Sequence, residues 1–486
     1  MSPEAPGADP AGPGASAPWL RPFGRGRAVS PFTLGTMRAI DSAAQMAAVL
    51  EAAVACGICH LETAPAYGPA ETFLAAALAA LEQRDPLARR GLVLTSKLLP
   101  GLSLAQGQEQ LRALLARLQI TQLDNLAVHG LNTAEHLHWA LQGDGRALLS
   151  WAIAEGLVGQ VGFSSHGSSA LIEEALASER FSFCSLHLHL FDRERLPLAR
   201  AALAAGLGVM AISPADKGGR LYDPPAELLA DCAPFHPLEL AYRFLLDQGI
   251  STLTLGAAQP QDLAWAEVLG QGPGGTGGCR RLSPGGGRPG EQVPGAGPGQ
   301  RSRPAGAAPL ESAAETAALP TASKTGSDPG EPPGRFAASP GADATAEPPA
   351  AAAATAAAQP GPGQPGGWLH PGHHAALERL AAAGRRRLDA SQCGQCRACL
   401  PCPNQVPIPA LLRLRNLAVG HGMVPFASER YSLIGRAAHW WEQRDASACE
   451  RCGDCLPRCP LQLPIPDLLA DTHRRLAAPP RRRLWG

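Results

Sequence analysis

From about residue 30 to residue 256 the chain alternates short β-type apolar runs with longer stretches rich in Ala and Leu. The short runs read as strands over residues 32–37, 58–63, 92–97, 123–129, 158–164, 183–190, 208–213 and 250–256. Between them, stretches such as 42–56, 71–83, 104–118 and 171–178 read as helices. Eight strands, each followed by a helix within roughly 250 residues, is the arithmetic of an α/β (β/α)8 barrel. A doubly wound open sheet is the competing α/β arrangement. It would carry a Gly-rich phosphate turn after its first strand, and none is present.

The alternation stops at about Gly270. Residues 270–367 are dominated by Gly, Pro, Ala, Ser and Thr, with the alanine tract Ala350 to Ala358 inside them. So little apolar surface cannot offset the entropy of ordering, which predicts a disordered linker. Residues 1–20 have the same character, without the basic and apolar regions of a signal peptide. Beyond the linker, residues 368–486 predict a small, mainly helical domain with an internal repeat. Cys402-Pro-Asn-Gln-Val-Pro-Ile-Pro-Ala-Leu-Leu is echoed by Cys459-Pro-Leu-Gln-Leu-Pro-Ile-Pro-Asp-Leu-Leu. Each Pro-Ile-Pro turn is suited to start a helix. A further helix is expected over residues 429–442, ending near Trp440 and Trp441, which read as core of that domain. The division expected is therefore tail 1–20, barrel 21–269, linker 270–367 and helical domain 368–486.

Charge and composition narrow the function. Lys plus Arg and Asp plus Glu both number 42, so the formal net charge is zero. That argues against a nucleic-acid surface built on bulk positive charge. No apolar stretch reaches membrane-spanning length. Eight of the 13 cysteines fall in two runs near the C-terminus. Thiolate clusters of this kind suit a reducing compartment, hence an expected cytoplasmic location. The remaining cysteines, Cys279 in the linker among them, show no pairing logic.

The first run is Cys393, Cys396, Cys399 and Cys402, followed by Pro403; the second is Cys449, Cys452, Cys455 and Cys459, followed by Pro460. Three thiolates at every third position wrap one face of a cubane, and the Cys-Pro supplies a ligand from further away. This is the pattern of a two-cluster ferredoxin with two [4Fe-4S] clusters, in which the fourth cysteine of each run serves the other cluster. Two structural zinc sites are the alternative, but these normally use paired cysteines.

On a barrel, residues at the C-terminal ends of strands converge on one mouth. Glu62, Tyr67, Lys97 and His129 fall at such ends. A phenol beside an ammonium and a carboxylate is a tuned proton donor, with its pKa expected to be lowered by the ammonium. An imidazole beside them can position a carbonyl oxygen. His187 and His189 alternate on the sixth strand, where barrel filling and mouth polarity are the plainer reading and a metal site the sharper one. Glu71 reads as an anchor for its helix, and the arginine runs 385–387 and 481–483 as solvated flanks or steering charges for an acidic redox partner.

With these residues in view, His60-Leu-Glu-Thr-Ala-Pro-Ala-Tyr-Gly-Pro-Ala-Glu71 resembles the aldo-keto reductase motif F-D-T-A-x-x-Y-G-x-x-E. Leu94-Thr-Ser-Lys97, Val128-His-Gly-Leu-Asn132 and Val161-Gly-Phe-Ser-Ser165 fall where that family carries its lysine, its histidine and its fifth-strand Ser-Asn pair. The resemblance covers about Arg21 to Leu269, and the tail resembles the iron-sulfur extension of one branch of these reductases. It implies NADPH bound across the mouth and reduction of a small carbonyl substrate. Tyr67 would be general acid, Lys97 and Glu62 its tuners, and His129 the carbonyl-orienting group. Ser164, Ser165, Ser185, Gly256 and Ala257 would meet the nucleotide.

The sequence departs from the family at several of these positions. Glu62 stands for aspartate, Ser165 for asparagine, and Ser185 and His189 for the glutamine and asparagine of the sixth strand. The segment after the eighth strand lacks the Lys and Arg that grip a 2′-phosphate, and Asp262 would repel one. NADH is therefore expected alongside NADPH as a candidate. The clusters would exchange single electrons with a protein partner, hold the C-terminal domain together, or serve a radical chemistry. A catalytically silent barrel acting as a redox-responsive binding module is the alternative from another class.

Overall fold

The computed structural model describes residues 20–215, 219–269, 367–435 and 444–477. The expectations for the N-terminal tail, the linker, Cys279, Trp440, Trp441 and the arginines 481–483 lie outside these residues.

Eight parallel strands close into a barrel in sequential order. They are β1 (Phe32–Gly35), β2 (His60–Glu62), β3 (Val93–Leu98), β4 (Leu123–Val128), β5 (Val158–Ser165), β6 (Phe183–His187), β7 (Gly208–Ile212) and β8 (Thr252–Gly256), with β1 pairing both β2 and β8. Helices follow the strands and turn their apolar faces inward, for example Leu111, Leu114 and Leu118 of Leu104–Leu118. Ser103 caps that helix by accepting from the Gln106 amide at 3.3 Å, satisfying a free amide of its first turn. Several strands are shorter than their apolar runs, β2 by half. After β1 the chain tightens into a 3-10 turn, Thr36–Arg38, and after β6 it curls through a bridge between His189 and Asp192.

The N-terminal end of the barrel is closed by a hydrogen-bonded belt. Thr33 Oγ1 lies 2.7 Å from Thr252 Oγ1 and 2.8 Å from His60 Nδ1, and His60 Nε2 lies 2.7 Å from Thr95 Oγ1. Asn125 donates to Thr95 Oγ1 at 3.0 Å, and Gln160 donates to Asn125 Oδ1 at 2.7 Å. Most buried polar groups in folded proteins are partnered in this way. Phe23, from the chain before β1, packs on this end against Phe183 with ring centroids 5.0 Å apart.

Inward-facing residues recur every second position along a strand. Glu62 is two beyond His60, Lys97 two beyond Thr95, His129 four beyond Asn125 and Ser164 four beyond Gln160. The belt thus fixes the register that turns the polar residues of the opposite end into the mouth.

The C-terminal helices Pro371–Leu388, Ile408–His421, Val424–Ser432 and Ile465–Leu476 belong to the same compact unit as the barrel. Ile408–His421 and Ile465–Leu476 each carry a proline in their first turn, at the two Pro-Ile-Pro repeats. The helix expected at 429–442 starts earlier, at Val424, behind a proline in its first turn. From Gly367 onward several contacts tie this region to the barrel. Trp368 is fully buried, its carbonyl accepts from Arg243 at 3.2 Å, and the Gly367 amide donates to Asp247 at 3.1 Å. Arg387 pairs with Asp231 at 2.5 Å and Arg413 with Asp192 at 3.3 Å, so Arg387 is no solvated flank. Among the described residues no helix is long and apolar enough to cross a membrane.

Candidate active site and cysteine loops

At the mouth, Glu62, Tyr67 and Lys97 form one contact group. Lys97 Nζ donates to the Tyr67 hydroxyl at 2.6 Å and to the Thr63 carbonyl at 3.5 Å, and it forms an ion pair with Glu62. The Tyr67 hydroxyl donates to Glu62 Oε1 at 3.2 Å. The extra methylene of Glu62 therefore does not keep its carboxylate from Lys97. His129 sets its ring edge-on to Tyr67, 6.1 Å between centroids.

The electrostatics differ from the expectation in one respect. Burial pushes the Tyr67 phenol up to about 12, where the sequence led us to expect a fall. The ammonium that would lower it is itself buried, and burial takes Lys97 down to about 7 against the pull of Glu62. Burial, reinforced by Lys97, takes His129 down to about 4, so its imidazole is neutral at pH 7. The mouth therefore presents a protonated phenol and a neutral imidazole.

The residues expected to meet a nucleotide separate by strand face. Ser164 accepts from the Gly130 amide at 3.0 Å. Ser165 lies on the other face and uses its hydroxyl on the Leu131 carbonyl at 2.6 Å and the Gly167 amide at 3.0 Å. Ser185 and Thr254 are inward-facing, and their buried hydroxyls have no protein partner among the described residues. Ala257 is buried beside Gly256. The Asp262 carboxylate accepts from the Ala258 amide at 2.8 Å and the Gln259 amide at 3.2 Å, so its negative charge stands in this loop. Sequence reasoning passed over Arg38: a Cβ on Gly256 would lie 3.2 Å from Arg38 Cδ, which brings an exposed cation from the β1 end onto the β8 end. Its only sequence signal is a basic residue three positions past a strand. Glu71 accepts from Ser96 at 2.9 Å and from Arg117 at 2.8 Å, the anchoring role its position suggested.

His166, His187 and His189 form a row at the β5 and β6 ends, with centroid separations of 4.4 and 5.7 Å. Among the described residues, no three His, Cys, Asp or Glu side chains are disposed to share one metal ion.

The two cysteine runs adopt one conformation twice. Gln395 and Arg397 have φ of 57° and 65°, and Arg451 and Gly453, at the same places in the second run, have 59° and 88°. Gln405 and Gln462, three residues past the fourth cysteines, have 54° and 50°. Left-handed residues other than glycine are uncommon, and a matched set marks loops bent to a purpose. The Gln395 amide already points at Cys393 Sγ, 3.4 Å away. Exposure repeats as well: Cys396 and Cys452 are exposed, and Cys399 and Cys455 buried.

The fourth cysteines cross over. Burial raises the Cys393 thiol, and Cys396 and Cys459 are close enough to raise it further. Burial likewise raises Cys455, with Cys449, Cys452 and Cys402 adding to the effect. Cys402, Cys449, Cys452 and Cys455 line one hollow of about 350 Å³ counted out to its mouth. Arg458 donates to the Pro401 carbonyl at 2.9 Å and stitches the crossing.

The chain matches the Aldo/keto reductase family over residues 31–226. Those residues form an aldo/keto reductase family domain. The match takes in Glu62, Tyr67, Lys97, His129 and the serines of β5 and β6, and stops before β8. Among solved structures, the chain is similar to a Pseudomonas aeruginosa protein provisionally named an aldo-keto reductase (24% identity, 52% of this chain and 95% of that one, TM-score 0.43). It is also similar to an aldo-keto reductase from Bacillus halodurans in holo form (21%, 51% and 91%, 0.43). A third is a Bombyx mori aldo-keto reductase in complex with NADP (19%, 52% and 88%, 0.42). No curated protein matches the chain.

Proposed function

We propose that the chain is a cytoplasmic oxidoreductase in which the aldo/keto reductase domain reduces a small carbonyl compound and the C-terminal loops carry two [4Fe-4S] clusters. The observation that carries the first half is the Tyr67–Lys97–Glu62 contact at the barrel mouth, with neutral His129 against the phenol. A nicotinamide nucleotide, when bound, supplies the hydride. Tyr67 keeps its proton at neutral pH and is the group able to give it to the carbonyl oxygen as negative charge develops there. Lys97 stabilises the phenolate left behind, and Glu62 holds Lys97 in place. His129 offers a hydrogen bond that orients the carbonyl. Stabilisation of this kind accelerates the reaction because it strengthens as charge forms.

The unpartnered hydroxyls of Ser185 and Thr254, with Gly35 and Gly256 at strand ends, fit a polar planar ligand at the mouth. Asp262 disfavours a 2′-phosphate nearby, which supports NADH at least as well as NADPH. At the tail, Cys393, Cys396, Cys399 and Cys459 would hold one cluster, and Cys402, Cys449, Cys452 and Cys455 the other. The crossed fourth cysteines and the matched left-handed residues support this assignment, and bound clusters would supply one-electron exchange with a protein partner. The test is twofold. Tyr67→Phe should abolish carbonyl reduction while nucleotide still binds, and anaerobic protein should contain iron and sulfide for two cubanes. Failure of both NADH and NADPH to bind would leave the silent barrel instead.

A further inference from the structure

The segment between β6 and the next helix touches both halves of the molecule. On one side, Arg195 donates to the His166 carbonyl at 3.1 Å and the Gly167 carbonyl at 2.8 Å, at the β5 end of the mouth. Glu194 accepts from Ser169 Oγ at 2.7 Å, two residues further on. On the other side, Glu194 pairs with Arg397 at 2.5 Å. Arg397 stands between Cys396 and Cys399 in the first run and is one of its left-handed residues. Asp192 pairs with Arg413, and the Phe191 ring lies 4.9 Å from that of His421, both partners being on the helix after the first run. The cations of the second run bond within the tail instead, Arg451 to Asp467 and Arg458 to Pro401.

We propose that the set Cys393, Cys396, Cys399 and Cys459 is the one that communicates with the barrel mouth, with Arg397–Glu194 as the coupling contact. The inference rests on the two-cluster reading above. Exposed ion pairs are weak, and here the two side chains are 46% and 31% exposed, so a charge change beside Arg397 is enough to redistribute it. An electron accepted by iron held on the first set would add negative charge beside Arg397 and draw it away from Glu194. Glu194 then loosens its hold on the loop, and Arg195 its hold on His166 and Gly167. Coupling between sites is reciprocal, so Glu194 must in turn bias the potential of that set.

The experiment uses full-length, anaerobically reconstituted protein with dithionite as the one-electron donor. Redox titration followed by EPR should give two cubane potentials. Glu194→Gln removes a negative charge near one set and should raise that one potential while the other stays. A tenfold bias would read as about 59 mV for a one-electron couple. Asp231→Asn, which breaks a docking pair away from the cysteine loops, should move neither. Amide exchange across residues 189–195 should quicken at least threefold on reduction of the native chain, and be fast in both states of Glu194→Gln. Two cubane signals with potentials unmoved by Glu194→Gln, or an exchange rate indifferent to reduction, would overturn the coupling. Absence of cubane signals would instead overturn the two-cluster reading on which it stands.

Discussion

The barrel mouth and the cysteine loops solve the same problem, holding reactive groups in place, by opposite means. At the mouth the groups come from separate strands and are positioned by register. Their polar atoms largely satisfy one another: Lys97, Glu62 and Tyr67 need nothing from outside. The cysteine loops are local, bent by left-handed residues and short helices, and completed only by the exchange of Cys402 and Cys459. Burial raises the thiols of Cys393 and Cys399. A mouth built this way stands as soon as the barrel closes, whereas under the proposed function the loops would be completed by the clusters they carry.

The largest expected effect is on the mouth. Tyr67→Phe should lower kcat for carbonyl reduction by about 10²–10⁴-fold, the usual worth of a positioned acid, with nucleotide affinity unchanged in a fluorescence titration. Next is Trp368→Ala, which empties a fully buried site where the tail begins its contact with the barrel. It should cost about 3–5 kcal/mol in denaturant unfolding and let limited proteolysis separate two pieces that otherwise stay together. Cys402→Ser should remove about half of the bound iron and sulfide, because one thiolate completes one of two cubanes; loss of all of it or none would break the crossed assignment.

The pH profile sharpens the contrast further. Lys97, lowered to about 7, should give carbonyl reduction a descending limb near that pH as its ammonium is lost, and His129, at about 4, no limb between 5 and 9. The same shift affects stability. The unfolded chain binds more protons than the folded one between about 7 and the ordinary lysine value, so stability should rise with pH across that window and flatten in Lys97→Met. The smallest effect is Asp231→Asn, which removes a partly exposed pair with Arg387 and should cost about 1 kcal/mol or less.

How much of this was legible in the sequence follows the same division. All eight strands could be read because a barrel strand is buried on both faces and stands out as an apolar run. Their ends could not, since Thr36 to Arg38 and Leu188 to Leu190 continue the apolar pattern while the backbone turns. Tyr67, Lys97 and His129 were legible as residues at strand ends, but burial depth is not a property of the sequence, so the direction of the tyrosine shift was missed. The cysteine spacing singled out the two loops that adopt one conformation twice. The docking of the tail was hidden, because pairs such as Arg387–Asp231 and Arg397–Glu194 join residues remote in the chain and leave no periodic trace.

The belt from Thr252 through Thr33, His60, Thr95 and Asn125 to Gln160 has a last consequence. With that end shut by side chains and by Phe23, the barrel is a blind well with a single doorway. Any molecule that meets Tyr67 must then enter and leave at the mouth.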